Sequence, residues 1–230
     1  MRNVSKTYLT ERSEVEALSG LSLDIEEGAF VALVGRSGSG KSTLLHLLGL
    51  IDDVTRGFFV FCGVRVDGLP EQQRAALRRR TSSLIFQDTR LIDHLDVRAN
   101  IEVGVRYRDM PAAERRIRVE EAMDFVGIGH RAAHNVSCLS AGQQRRVEIA
   151  RAIVSRPRLL LADEPTGDLD ARTAAQMLQI LWQLNRGGTT VVMATHSAEY
   201  AAVADEIVYL ADGLRIDAGA GRHAPRLMAG

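Results

Sequence analysis

An apolar run, Phe30-Val31-Ala32-Leu33-Val34, ends in GRSGSGKST (35–43) and is followed at once by LLHLLGL. No other stretch of the chain constrains the fold as tightly. The five apolar residues read as a strand covered on both faces, and the leucine-rich run as a helix packing back on it. Between them Gly35, Gly38 and Gly40 let the backbone curl, so that successive N–H groups converge on an anion. A helix starting near Lys41 adds the positive end of its dipole. G-x-x-x-x-G-K-S in a strand–loop–helix context is the P-loop. The phosphate-binding stretch is therefore Gly35, Arg36, Ser37, Gly38, Ser39, Gly40, Lys41, Ser42 and Thr43. In such a loop the lysine, Lys41, reaches the β- and γ-phosphates, and the Ser42 hydroxyl coordinates Mg²⁺. A ligand-free Gly/Ser connection would leave Lys41-Ser42 at that offset unexplained.

Around this unit the pattern alternates. Strand runs are predicted at Phe30–Val34, Phe58–Phe61, Ser83–Phe86, Leu159–Ala162, Thr190–Thr195 and Ile207–Leu210. Ala211-Asp212-Gly213 then turns into Leu214–Ala218 as a hairpin. Helical spacing appears in Val119, Ala122, Met123 and Val126, and in Ala174, Met177, Leu178 and Leu181. Strands alternating with helices imply a mainly parallel α/β core. The stretch from about Asp88 to Ser155 is rich in helix formers and poor in strand signal, which predicts a helical lobe inserted into that core.

RLLLADEPTGDLD (158–170) ends a second apolar strand in two adjacent carboxylates. Strand alternation would send them to different sides, Asp163 toward a Mg²⁺ ion and Glu164 toward the γ-phosphate and its attacking water. The bland alternatives are a turn-capping Asp163 and a solvated Glu164. His196 closes the next strand, VVMATHS, where a parallel sheet presents its ligand-binding edge. It is either a γ-phosphate contact or an ordinary surface hydrogen-bonder. The other histidines (46, 94, 130, 134 and 223) show no metal spacing, and His130 and His134 share either a helix face or a loop.

Composition narrows the class. The 230 residues suffice for one sizeable domain, and Lys+Arg and Asp+Glu are equal at 29 each, so net charge points to no polyanionic partner such as a nucleic acid. Arg78-Arg79-Arg80, Arg115-Arg116 and Arg145-Arg146 read as solvated helix faces. Cys62 and Cys138 lack any paired spacing and suit a reducing compartment. The opening residues carry no signal-peptide pattern, and the longest apolar stretches, such as Thr43–Ile51, are too short to cross a bilayer. These features predict a soluble, cytoplasmic protein.

LSAGQQRR (139–146) precedes a helix-like run, with Ser140 suited to cap it. Taken with the other motifs, it makes the chain resemble the nucleotide-binding subunit of ATP-binding cassette (ABC) transporters over nearly its whole length. Tyr8 in SKTY, the P-loop, Gln87 in LIFQD, LSAGQ at 139–143, LLLADEP at 159–165 and His196 occur in that family's order. Gly167-Asp168-Leu169-Asp170 stands where the family has its D-loop. PTGDLD, LGLIDDVTRG and FQDTRLIDHL are similar to the subgroup serving MacB-type exporters, lipoprotein-release systems and the FtsE division ATPase. The departures are Ala141 for the signature's first glycine, Val136 where the subgroup often has proline, and a short first strand open to fraying.

The resemblance implies a mixed α/β sheet of RecA-like type with an N-terminal antiparallel β region and an inserted helical lobe. It implies one ABC ATPase domain, its nucleotide-binding core at 1–87 and 156–230 and its lobe at 88–155. It further implies two cassettes packed head to tail around two MgATP. Tyr8 would stack on adenine, and Ser42, Gln87 and Asp163 would hold Mg²⁺, with Gln87 also linking to the helical lobe. Glu164 would act as the base, with Lys41 and His196 as catalytic partners. Ser140, Gly142, Gln143 and Asp170 would serve the second subunit's ATP, most simply in a homodimer. The cassette would drive an integral membrane permease docked near Asp88–Asn100, at the inner face of the cell membrane. The other reading is an FtsE-like ATPase that moves a membrane partner without transport. In the docking stretch Leu91, Ile92 and Leu95 mark either a groove for a permease helix or ordinary packing of the lobe.

Overall fold

The computed structural model describes residues 1–9 and 13–216. The chain runs β1 (Arg2–Leu9), β2 (Glu14–Leu21), β3 (Phe30–Val34), α1 (Lys41–Leu48), β4 (Arg56–Phe58), β5 (Val60–Phe61), β6 (Val64–Arg65), α2 (Glu71–Thr81) and β7 (Ser82–Ile85). Three helices follow, α3 (Val97–Glu102), α4 (Ala112–Phe125) and α5 (Ala141–Ile153). The last part holds β8 (Leu159–Asp163), α6 (Ala171–Arg186), β9 (Thr190–Thr195), α7 (Ala198–Ala201), β10 (Glu206–Ala211) and β11 (Leu214–Ile216). The final residues of the predicted hairpin, and His223, lie outside the described residues.

The main sheet has the order β11-β10-β3-β9-β8-β7, parallel throughout except for β11. Its central strands β3, β8 and β9 are buried at every position because each face has its own core. Phe30, Ala32 and Val34, Leu160 and Ala162, and Val191 and Met193 point into the cluster that α5, α6 and the lobe helices cover. Val31 and Leu33, Leu159 and Leu161, and Val192 and Ala194 point the other way, into a cluster built with α1 and the β1–β2 region. Period-two side-chain alternation on a doubly covered sheet produces this split. The cluster under the lobe runs without a break from Phe30 to Met123 of α4, so α3, α4 and α5 share the core of the sheet they adjoin. No helix among the described residues is long and apolar enough to cross a membrane.

Several local expectations are corrected. β1 is a full strand, paired on one side with β2 and on the other with β4. The single strand expected at Phe58–Phe61 is two, because Phe59 leaves the ladder. Phe59 turns inward, 4% exposed, and its N–H donates to Asp67 Oδ1 at 3.0 Å, so β4 joins β1 while β5 pairs with β6. Arg145 and Arg146 are not a solvated face. Arg145 is buried and Arg146 reaches Val126 O and Gln176, since α5 turns this side inward and main-chain carbonyls meet the guanidinium groups. His130 lies in a short 3-10 turn and His134 beyond it, where Arg131 contacts its Nε2. Cys62 and Cys138 are free thiols.

Candidate active site

Parallel strand order gathers the ends of β3, β9 and β8 on one edge of the sheet, the position where open α/β sheets bind ligands. The residues that leave those ends are Gly35, His196 and Glu164. The loop after β3 enters α1 through Gly40, whose φ is +100°. A Cβ there would lie 2.7 Å from Ala17 O and 2.8 Å from Leu18 Cδ2, so only glycine fits both the turn and the space. Lys41 is buried, and its ammonium crosses back over the loop to donate to Gly35 O at 2.8 Å and Arg36 O at 3.0 Å.

Two buried oxygens on this edge have no protein partner, Ser39 Oγ and Asp163 Oδ1. A buried carboxylate oxygen left unpaired is costly unless something outside the chain completes it. Asp163 Oδ1 is an oxygen donor of the kind a hard divalent cation takes, and Ser42 and Gln87 carry oxygens of the same class. Mg²⁺ therefore fits the residues present.

Glu164 is not on the strand. β8 ends at Asp163, and Glu164 has φ +45°, with its N–H donating to Ala194 O at 3.0 Å. A left-handed residue, and not strand alternation, therefore parts the two carboxylates. The kink is a strained conformation for a non-glycine residue and is of the sort concentrated at functional sites. It brings Glu164 Oε1 to 3.9 Å from Lys41 Nζ and Oε2 to 3.0 Å from His196 Nδ1. The Glu164 side chain is 12% exposed and that of His196 is 72% exposed, so the carboxylate sits inside and the imidazole at the rim.

Tyr8 is half-buried on β1, and its hydroxyl donates to Asp52 Oδ2 at 2.8 Å. Burial, and then the Asp52 carboxylate, push the phenol up to about 12. Lys6 donates to Asp52 Oδ1 at 2.6 Å and stands 4.8 Å from the Tyr8 ring centroid. Asp52 is half-buried, which raises it, but the bonds from Lys6 and Tyr8 win and hold it below the usual carboxylate range.

Ser140 caps α5, and with Gln143 it forms a capping box. The Gln143 N–H donates to Ser140 Oγ at 3.4 Å, and the Ser140 N–H donates to Gln143 Oε1 at 3.1 Å. Ala141, the departure from the signature, is exposed at the start of the helix. Gly142 has its own close neighbour, since a Cβ there would meet Thr173 Cγ2 at 2.6 Å. Asp170 caps α6, accepting from Thr173 N at 3.0 Å and Thr173 Oγ1 at 2.7 Å. Among the described residues no hydrogen bond or ion pair joins Ser140, Gly142 or Gln143 to the P-loop of the same chain. Gln87 does not end β7; it stands two residues beyond, exposed.

The stretch 88–100 is folded around Asn100, which is fully buried. Its Oδ1 accepts from Ile92 N at 2.8 Å, and its Nδ2 donates to the carbonyls of Ile92 and Asp96 at 3.1 Å each. Leu91 packs on the core. Ile92 instead lines an open groove of about 400 Å³ with Leu84, Phe86, Arg90, Glu148 and Arg151. Sequence reasoning missed Asn100, Asp52, Arg145 and Glu148. Only Glu148 carried a visible signal, a carboxylate inside the apolar run VEIARAIV.

A sequence profile of the ABC transporter family matches residues 18–167. The macrolide export ATP-binding/permease protein MacB of Chlorobium luteolum is 43% identical over 212 residues, covering 92% of this chain. This chain spans only about a third (32%) of that relative's length. The ABC transporter ATP-binding protein YknY of Bacillus subtilis is 37% identical over 224 residues, with 97% of each chain covered. The dimeric post-hydrolysis structure of the ATP-binding cassette MJ0796 bound to ADP and Pi superposes with a TM-score of 0.85 at 37% identity, covering 93% of this chain and 94% of that one. With its P-loop, its acidic strand end and its capped signature helix in one fold, the chain belongs to the ABC transporter family, as one of its ATPase cassettes.

Proposed function

We propose that this cassette powers a membrane exporter by closing as a dimer on two ATP molecules and reopening after hydrolysis. The observation that carries the reading is the bracketed Glu164 carboxylate, between Lys41 and His196 at the edge where the P-loop begins. Gly35 to Thr43 hold the phosphates through main-chain N–H groups and the Lys41 ammonium. Tyr8 lies against the adenine, on a ring fixed from behind by Asp52 and Lys6. Ser42, Asp163 and Gln87 would hold Mg²⁺, which when bound would supply positive charge against the phosphates. Glu164 orients the attacking water and takes its proton. His196 fixes the carboxylate by its bond to Oε2, and Lys41 stabilises charge at the γ-phosphate. Ser140, Gly142, Gln143 and Asp170 act on the neighbouring subunit's nucleotide, consistent with the dimeric assembly of the MJ0796 cassette.

The partner is a permease that holds the cassette at the inner face of the cell membrane, in line with the fused ATP-binding/permease architecture named in MacB. Its cytoplasmic helix occupies the groove lined by Ile92, Phe86 and Arg90. The core and lobe division at 87/88 and 155/156 gives that helix a lever, because lobe rotation would move it directly. The deciding experiment is phosphate release by the purified chain with MgATP, set beside Lys41→Ala. Release that Lys41→Ala abolishes supports the reading. Release unaffected by the substitution, or none at all, overturns it.

A further inference from the structure

Residues 86–90 carry Gln87 and put Phe86 and Arg90 into the groove, yet they follow the last strand residue of β7. One face of α5 holds them. Arg145 Nη1 donates to Phe86 O and Arg145 Nη2 to Gln87 O, both at 2.8 Å. Glu148 Oε1 accepts from Arg90 N at 2.8 Å, while Glu148 Oε2 accepts from Arg145 Nη1 at 2.8 Å. Arg151 Nη1 donates to Arg90 O at 2.6 Å. Positions 145, 148 and 151 recur on one helix face. The Arg145 and Glu148 side chains are only 5% and 2% exposed, so losing either partner would strand a buried charge and loosen the loop.

We propose that Glu148 is a positioning residue, fastening the loop that bears Gln87 to the helix that begins at Ser140, so that the two move as one body. The proposal rests on the shared-site reading above. Ser140 caps the same helix and Gln143 lies in its first turn, two residues before Arg145. Glu148 also lines the groove, so a partner pressing there acts on the clamp itself. Displacement at the groove then reaches the signature segment through a contiguous set of hydrogen bonds.

The test is made in a Glu164→Gln parent, measuring ATP-driven dimerisation by analytical ultracentrifugation. Affinity for a fluorescent ATP analogue is measured separately, without Mg²⁺ so that Gln87 plays no part, at concentrations where the chain is monomeric. Glu148→Ala should weaken the dimer about tenfold while monomer nucleotide affinity stays within about twofold, because the P-loop is untouched. Glu148→Gln keeps an acceptor for the Arg90 N–H and should restore most of the loss. Since alanine leaves Arg145 buried and unpaired, Arg145→Met/Glu148→Leu gives a second route. It replaces the ion pair by apolar side chains that keep the fold, yet removes every bond to Phe86, Gln87 and Arg90 except that from Arg151. A double variant that melts like its parent and dimerises as tightly overturns the proposal. No dimer in the Glu164→Gln parent itself overturns the shared-site reading, and this proposal with it.

Discussion

His196 Nδ1 lies 3.0 Å from Glu164 Oε2, and the carboxylate's other oxygen is 3.9 Å from Lys41 Nζ. Two side chains, one just past β9 and one at the start of α1, thus meet on one acid just past β8. Glu164 is itself in the left-handed region and is hooked to β9 through Ala194 O, so the backbone aims the acid at this edge.

Glu164→Gln keeps the shape of the acid and removes the charge that orients water. It should bind MgATP, accumulate a dimer visible by size-exclusion chromatography, and hydrolyse a few hundredfold more slowly, a loss of about 3–4 kcal/mol in the transition state. Normal turnover would remove Glu164 from the role of base.

The composite site is tested by complementation. A Ser140→Arg chain and a Lys41→Ala chain should each be inactive alone, since each homodimer lacks half of both sites. Mixed, they form heterodimers in which one site has both halves intact, so phosphate release should reappear. A mixture that stays inactive and shows no ATP-dependent crosslink between Ser140 and Lys41 positions would sink the trans arrangement.

Tyr8→Phe and Tyr8→Ala separate the ring from the hydroxyl. Phe keeps the stacking face and loses the bond to Asp52, so nucleotide affinity should stay within about twofold while stability falls by about 1 kcal/mol. Ala removes the ring and should weaken binding by about 1–3 kcal/mol, the worth of one stacked base. With the phenol pushed up to about 12, Tyr8 stays neutral through the working range, and its contribution to affinity should not change between pH 6 and pH 9. Equal binding by all three proteins would move adenine elsewhere.

The groove residue to change is Ile92. Ile92→Asp should reduce capture of the co-expressed permease with the melting temperature and basal phosphate release unchanged. Leu91→Asp places a charge against the core and should instead cost about 1–3 kcal/mol of stability, seen as a lower urea midpoint. If Ile92→Asp captures the partner normally, the helix docks on another face.

Gly142→Ala should destabilise the isolated chain by about 1–2 kcal/mol, because the new methyl lies 2.6 Å from Thr173 Cγ2. Adding Thr173→Ser removes that methyl, keeps the hydroxyl bond to Asp170, and should restore the melting temperature. A single variant as stable as the parent would leave Gly142 with no own-chain reason to be glycine.

Much of this protein was legible from the chain alone. The run Phe30–Val34 into GRSGSGKST required a buried parallel strand, an anion loop and a helix, because spacing and local chemistry determine such a unit. The cap at Ser140 was likewise readable, since its partner Gln143 is three residues away. Phe58–Phe61 misled because an apolar run does not say which face each side chain takes, and Phe59 turned inward. The kink at Glu164, the Tyr8–Asp52–Lys6 set and the clamp of Arg145 and Glu148 on residues 86–90 were decided by the tertiary structure. Each joins residues far apart in sequence, and no local periodicity records a hydrogen bond to another segment's main chain. The sequence alone determined which chemical groups the site contains; packing decided which of them touch, because burial turns an optional hydrogen bond into a required one.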